Sequence, residues 1–222
     1  MCYNPSISLI TFSVMAISTI FLIYRNYPND RWFAILFISA GVMQLIEYFM
    51  WSNQSCGLAN HLATMGAFLL LLIQPLAILI GAYYFGTLVF SQNDKEKILP
   101  IIWIYGIIIG IIAIIGIRSG MKNRLCSLPN GKHLDWNIAK LFGGKKVIYL
   151  FFFLYYAMFF LLLLSKPWYL GFIIAIMLLG SLFFSVFFIK NPSWKSLWCW
   201  TVNFIPIIYI ITSYIIDKYK KE

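Results

Sequence analysis

The chain has 222 residues, of which 62% are hydrophobic and only 11% are charged, and its formal net charge is +10. An ordinary soluble domain has about 25% charged residues. The charged residues here lie between long apolar runs, so the composition excludes a soluble globular protein and indicates a protein whose solvent is lipid.

Seven apolar runs are each long enough to cross a bilayer as a helix, since about 20 residues at 1.5 Å per residue span the hydrocarbon core. In chain order they cover residues 7–24, 32–51, 62–90, 98–117, 147–164, 168–189 and 197–216. Pro75 predicts a kink in the third run, and Pro206 lies inside the seventh. We therefore predict an all-α, polytopic membrane protein that forms one seven-transmembrane-helix bundle over residues 1–222, with a long loop at 118–146.

The orientation of the bundle is not decided by its basic residues, which should favour the cytoplasmic side. Seven spans place eight of the 17 Lys and Arg on the C-terminal side and nine on the N-terminal side. All four cysteines, in contrast, fall on the N-terminal side or at helix ends there, and disulfides persist in oxidising compartments. We expect the N-terminus outside the cell or in a lumen, and the C-terminus in the cytosol. Asn53 opens a sequon on the same side and is a candidate for glycosylation.

The cysteines can be paired by proximity. The first and last helices of a closed ring are neighbours, which favours Cys2–Cys199, and the second and fourth loops both cap the outer face, which favours Cys56–Cys126. Four free thiols are one alternative. Another is a metal site of two cysteines and the only two histidines in the chain, Cys56 and Cys126 with His61 and His133. The spacings match no known zinc motif, so we predict no metal site.

One acid lies at membrane depth, Glu47, about one turn from the outer end of its run. Ionisable residues at this depth are costly and are usually functional. Gln44 shares the face of Glu47, and lipid can satisfy neither side chain, so this face must point into the bundle. We predict an outward-facing ligand or ion pocket centred on Glu47, with further polar side chains of similar depth, Asn4, Ser8, Gln74 and Asn203.

The role of this pocket is open at the level of sequence. The Glu47 carboxyl could be protonated and donate a hydrogen bond, with Gln74 as a possible acceptor, or a cation could lie against it. The alternative is that the buried amides only hydrogen-bond across helices and hold the bundle together.

The loop at 118–146 carries seven basic residues and one acid, Asp135. Pro129, Asn130 and Gly131 form a strong turn signal, which predicts a short hairpin or a lid over the mouth of the bundle. The basic residues are interpreted either as a solvated surface that touches lipid head groups or as a cationic funnel that attracts anions.

Three classes of function can be compared. An intramembrane enzyme needs a nucleophile, base or metal set, and the seven runs contain neither a histidine nor a pair of acids, so we predict no enzymatic activity. They also lack the lysine that retinal needs and the axial histidine that haem needs, so we predict no cofactor. A non-enzymatic, channel-like or transporter-like protein for a small ligand or ion fits the buried acid and the two prolines. A receptor-like, ligand-sensing seven-helix protein is the alternative.

The predicted partners are the lipid bilayer and a small molecule, an ion or a proton, and no nucleic acid is expected. The predicted location is the plasma membrane, an endomembrane or a virion envelope.

Three short segments carry a resemblance to a known family: Cys2-Tyr3-Asn4-Pro5-Ser6-Ile7-Ser8-Leu9, Met43-Gln44-Leu45-Ile46-Glu47 with Trp51, and Ile73-Gln74-Pro75. They resemble an uncharacterised family of multi-span membrane proteins in large DNA viruses of protists and algae, over roughly the first third of the chain. The resemblance implies no known activity. It does imply that four of the polar residues belong together, Asn4, Gln44, Glu47 and Gln74.

Overall fold

The structure, a computed structural model, describes residues 4–88, 95–131, 133–142, 145–188 and 194–219. Eight α-helices form these segments: α1 Pro5–Arg25, α2 Asp30–Ser52, α3 Leu58–Phe85, α4 Ile98–Lys122, α5 Lys145–Ala157, α6 Trp168–Phe188, α7 Trp194–Val202 and α8 Ile205–Tyr219. Two 3-10 segments, Ala139–Phe142 and Met158–Leu164, and one antiparallel hairpin, β1 Leu128–Asn130 with β2 His133–Asp135, complete the fold. The predicted all-α class is confirmed.

Six of the described helical stretches are long and apolar enough to cross a membrane: Pro5–Arg25, Asp30–Ser52, Leu58–Phe85, Ile98–Lys122, Val147–Leu164 and Trp168–Phe187. They match the first six predicted runs. The fifth combines α5 with the 3-10 segment that follows it. The seventh run, 197–216, was predicted as one helix, but two helices cover it, since α7 ends at Val202 and α8 begins at Ile205. The break precedes Pro206, which cannot donate a backbone hydrogen bond to a preceding turn.

The turn between α1 and α2 is tight because two asparagines adopt the left-handed conformation. Asn26 ends α1 with φ 54° and its N–H donates to the Leu22 carbonyl, while Asn29 precedes α2 with φ 70°. Asparagine tolerates this conformation better than most residues. The two helices therefore run antiparallel and pack along their lengths.

The most buried helices are α2 and α3, and the others surround them. α1 and α3 pack on α2, and α4 packs on α3 and on the 3-10 segment Ala139–Phe142. The segment Met158–Leu164 contacts α3 and α6, α6 contacts α7 and α8, and α8 contacts α1. The first and last helices are thus neighbours, as predicted, and α7 also contacts α2.

The two ends of the bundle differ, because only one of them carries the loop between α4 and α5. The lid end is where α1 begins and α2 ends, and it carries the lid, defined as residues 123–142. The base end is where α1 ends and α2 begins. The last helix reaches the base end, because Tyr209 and Ser213 of α8 hydrogen-bond to Asp30 and Arg25 there.

Glycines let α4 approach the rest of the fold at the lid end. A Cβ atom at Gly116 would overlap the Phe68 ring of α3, and one at Gly120 would lie 2.5 Å from the Met65 sulfur. At Gly106 and Gly110, nearer the base end, a Cβ atom would meet nothing within 4 Å. The close approach of α4 therefore depends on its last turns, where small residues permit helix contact.

This contrast predicts opposite effects for one chemical change. Gly116→Ala should destabilise the protein relative to Gly106→Ala by about 1–3 kcal/mol, because only the first overpacks a contact. Both changes gain the same helix propensity, so each variant controls for the other. Reversible unfolding in detergent measures the difference. Equal stability of the two variants would contradict the packing of α4 described above.

Candidate functional site

Glu47 lies near the lid end of α2 and is fully buried. Its two carboxylate oxygens accept hydrogen bonds from different N–H donors: Oε1 from Trp136 Nε1 at 3.0 Å, and Oε2 from Gln44 Nε2 at 3.2 Å. Gln44 is itself fully buried, and its Oε1 accepts from the Thr11 hydroxyl at 3.0 Å. The site therefore joins α1, α2 and the lid through one chain of hydrogen bonds.

The chemistry of the site follows from its donors. An indole N–H can only donate, and a donor on each oxygen suits an ionised carboxylate. The arrangement can therefore hold a negative charge inside the bundle, and a carboxylate is also a group that can take up a proton.

The lid places Trp136 over Glu47 by inserting apolar side chains into the bundle. Trp136 directly follows β2 and is 3% exposed. Further along the lid, Ile138, Leu141 and Phe142 are also buried, and the Phe142 ring packs edge-to-face on Phe68 of α3 at 5.1 Å. The hairpin or lid predicted for this loop is confirmed.

A disulfide and a buried polar cluster fasten the lid to α3. Cys56 and Cys126 form a disulfide with a Cα–Cα distance of 5.5 Å, as predicted. Asn60 of α3 is fully buried and holds both backbone groups of Ser127, since its Oδ1 accepts from the Ser127 N–H and its Nδ2 donates to the Ser127 carbonyl, each at 2.9 Å. The Thr64 hydroxyl lies 3.0 Å from the Ser127 hydroxyl.

The alternative metal site at these cysteines is wrong. Both sulfurs are used in the disulfide, and His61 Nδ1 lies 2.9 Å from the Leu125 carbonyl and 3.2 Å from its N–H. Among the described residues, no group of three or more His, Cys, Asp or Glu could hold a metal ion. The second predicted disulfide, Cys2–Cys199, stays a prediction, because Cys2 and the Cys199 side chain lie outside the described part of the chain.

The structure brings Gln44 into contact with Glu47, as their predicted shared face requires, but Gln74 does not join them. The Gln74 side chain is buried in a different place, where its Nε2 donates to the Ser39 carbonyl at 2.9 Å and its Oε1 accepts from the Tyr155 hydroxyl at 2.7 Å. The expectation that Gln74 accepts from Glu47 is therefore also wrong. The two side chains lie at different depths, because Ser39 is about 12 Å from Glu47 along the axis of α2.

The other three predicted pocket residues lie in different surroundings. Asn4 is exposed and caps α1, where its Oδ1 accepts from the Ile7 N–H at 2.9 Å, so it is not a pocket residue. Ser8 is fully buried one turn from Thr11, and its hydroxyl has no hydrogen-bond partner among the described residues. Asn203 is buried at the break between α7 and α8, and its Nδ2 donates to the Trp200 carbonyl. Its membership of the Glu47 pocket stays a prediction.

The glycosylation candidate lies where α2 ends. Asn53 is the C-cap of α2, and its side-chain Nδ2 donates to the Phe49 carbonyl at 2.8 Å. A glycan would attach to this same nitrogen, so modification would have to release it from the helix end.

Sequence reasoning missed a second buried acid, at the base end. Asp30 is fully buried, although it lies between two apolar runs and was counted as part of a loop. Its Oδ1 accepts from Arg25 Nη2 at 2.7 Å and from the Tyr209 hydroxyl at 2.9 Å, and its Oδ2 accepts from Arg25 Nε at 2.8 Å and from the Tyr27 N–H at 2.9 Å. The sequence contains one signal for this cluster: Arg25 and Asp30 stand on either side of a turn that includes Asn26 and Asn29.

The base-end cluster is a structural clamp. Arg25 also donates to the Ser213 hydroxyl at 2.7 Å, and its guanidinium lies 4.8 Å from the centre of the Tyr27 ring and 5.6 Å from that of Tyr209. Because every described polar contact of Asp30 is with a donor of the protein itself, the cluster joins α1, α2 and α8 and leaves little capacity for a ligand.

Comparisons of the chain with protein-family models, with curated proteins and with solved structures found no match. The resemblance to a viral membrane-protein family stays a prediction.

The clamp predicts an asymmetric response to substitution. Asp30→Asn should destabilise the protein by about 3–5 kcal/mol, because it leaves the guanidinium of Arg25 buried without its counter-charge. Tyr209→Phe should cost about 1 kcal/mol, since it removes one hydrogen bond. Asp135→Asn, in the half-buried part of the lid, is a matched control for the loss of one acid. Unfolding in detergent measures all three, and equal losses for the two Asp→Asn variants would contradict the clamp.

Proposed function

We propose that this is a seven-span integral membrane protein that binds and passes a small cation, the proton above all, at Glu47, without catalysing a covalent reaction. The observation that carries the proposal is the fully buried carboxylate of Glu47, whose two oxygens face N–H donors of α2 and the lid. Intramembrane carboxylates at such positions mark ion pathways and proton relays.

The seven crossings are supported by the path of the last two helices. α7 contacts β2 at the lid end and α8 contacts Arg25 and Asp30 at the base end, so together they connect the two ends. Their combined path adds a seventh, interrupted crossing to the six long apolar helices. Interrupted helices at membrane depth are a feature of transporters, because unwound segments present backbone groups to a bound ion.

The orientation is supported by the position of the disulfide. Cys56–Cys126 lies at the lid end, and disulfides persist where the environment is oxidising. We therefore propose that the lid end and the N-terminus face the outside or a lumen, and that the base end and the C-terminus face the cytosol.

The chemistry of a single carboxylate favours a proton over a metal cation. Among the described residues, four exposed basic side chains lie in or beside the lid: Arg118, Lys122, Arg124 and Lys140. Such a surface lowers the local concentration of every cation, but one carboxylate binds a proton far more tightly than it binds Na⁺ or K⁺. The exposed basic residues are also suited to contact with lipid phosphate groups.

The proposal predicts that transport depends on one carboxyl. The purified protein in liposomes should dissipate an imposed pH gradient faster than protein-free vesicles, as read by an enclosed pH-sensitive dye. Glu47→Gln should abolish this difference, because an amide keeps the shape but cannot bind and release a proton. Glu96→Gln is the matched control, since Glu96 is exposed beyond the base end of α3, just before α4.

Parallel assays with Na⁺ and K⁺ gradients separate a proton from a metal cation. The proposal is overturned if the wild-type protein dissipates none of the three gradients, or if Glu47→Gln and wild-type protein give the same rates.

A further inference from the structure

A small cavity lies in the middle of the bundle, away from Glu47. Its volume is about 20 Å³, and five helices line it, α2, α3, α5, α6 and α7. Gln74, Tyr155 and Ser39 contribute to its polar wall, and Ala40 and Val202 form part of its apolar wall. A cavity needs roughly 10–15 Å³ of this kind of volume to hold one water molecule. The cavity is therefore the right size for one water and too small for an organic ligand.

The hydrogen-bonding capacity of Gln74 identifies the ligand. A side-chain amide has two N–H donors and two acceptor lone pairs. The described contacts of Gln74 use one of each, with the Ser39 carbonyl and the Tyr155 hydroxyl. One N–H and one lone pair stay available at a side chain that is 4% exposed. A ligand that both accepts and donates a hydrogen bond matches this pair, whereas a bare cation or an anion matches only half of it.

We propose that one buried water molecule binds in this cavity and is held by the amide of Gln74. Polar groups buried away from solvent are normally satisfied in this way when the protein itself offers no partner. The site had no signal in the sequence, because five separate helices must meet to form it.

The position of this water gives it a role that rests on the proposed function. Glu47, Gln44, Ala40 and Phe37 follow each other along one face of α2 at spacings of three and four residues. Ala40 lies about 10 Å from Glu47 along the helix axis. The water therefore lies below the Glu47–Gln44 pair toward the base end, where with the Gln74 amide and the Tyr155 hydroxyl it offers polar groups to a proton that leaves Glu47 inward. Val202, which lines the same cavity, directly precedes the break in the last span.

Radiolytic hydroxyl-radical footprinting tests the water directly, because X-ray ionisation of a bound water produces a radical that oxidises its immediate neighbours. In the wild-type protein, Tyr155 should be oxidised although it is only 5% exposed. Tyr209 is the matched control, since it is 1% exposed, does not line the cavity and donates its hydroxyl to Asp30. Oxidation of Tyr155 no faster than that of Tyr209 would overturn the water site without the need for any variant.

Two variants then remove the water in different ways. Ala40→Val fills the cavity and keeps Gln74, whereas Gln74→Leu keeps the size of the side chain and removes the donor and the acceptor. Both should reduce the oxidation of Tyr155 to the rate of Tyr209, and persistence of fast oxidation in Ala40→Val would contradict the site. If one variant fails to fold, the other and the wild-type comparison still decide.

The liposome assay distinguishes the presence of the water from its role in proton transfer. Loss of proton flux in Ala40→Val, together with loss of Tyr155 oxidation, supports the role in proton transfer. Unchanged flux with lost oxidation would overturn that role and leave a structural water. If wild-type protein carries no protons at all, the proposed function fails, while the oxidation of Tyr155 still decides whether the water is bound.

Discussion

A carboxylate buried among apolar helices needs hydrogen-bond donors from the protein, because neither lipid nor packed side chains can replace the lost water. Glu47 obtains one donor from its own helix, Gln44, and the other from a loop, Trp136. The second donor explains why the lid is inserted into the bundle and does not simply cover it. The disulfide and the Asn60–Ser127 hydrogen bonds hold the start of the lid, and its buried aromatic and aliphatic residues hold the rest.

The two buried acids of α2, Asp30 and Glu47, have different hydrogen-bond partners. At the base end, the Asp30 carboxylate has a guanidinium, a tyrosine hydroxyl and a backbone N–H as partners, and these contacts fasten three helices together. At the lid end, Glu47 meets two neutral N–H donors among its described contacts. The Asp30 contacts fix one charge within the structure. For Glu47 we propose a different role, the binding of a proton, which requires a group whose charge can change.

Much of the fold follows from the sequence because lipid imposes strong rules. Length and hydropathy predict six of the spans, and proximity of two loops predicts the pairing of Cys56 with Cys126. The spacing of Gln44 and Glu47 predicts their shared face. What fails is the grouping of Gln74 with Glu47, because Gln74 contacts α2 at Ser39, about 12 Å along the helix axis from Glu47, and accepts from the Tyr155 hydroxyl. Asp30 was missed because its burial depends on two left-handed asparagines that turn the chain back.

The lid contributes a hydrogen bond to Glu47 from Trp136, and a double-mutant cycle measures that bond most directly. The cycle compares unfolding free energies of wild type, Glu47→Leu, Trp136→Phe and the double variant in detergent. A hydrogen bond to a charged group predicts a coupling energy of about 1 kcal/mol or more. Additivity of the two single substitutions within about 0.5 kcal/mol, as found for residues that do not interact, would contradict the account.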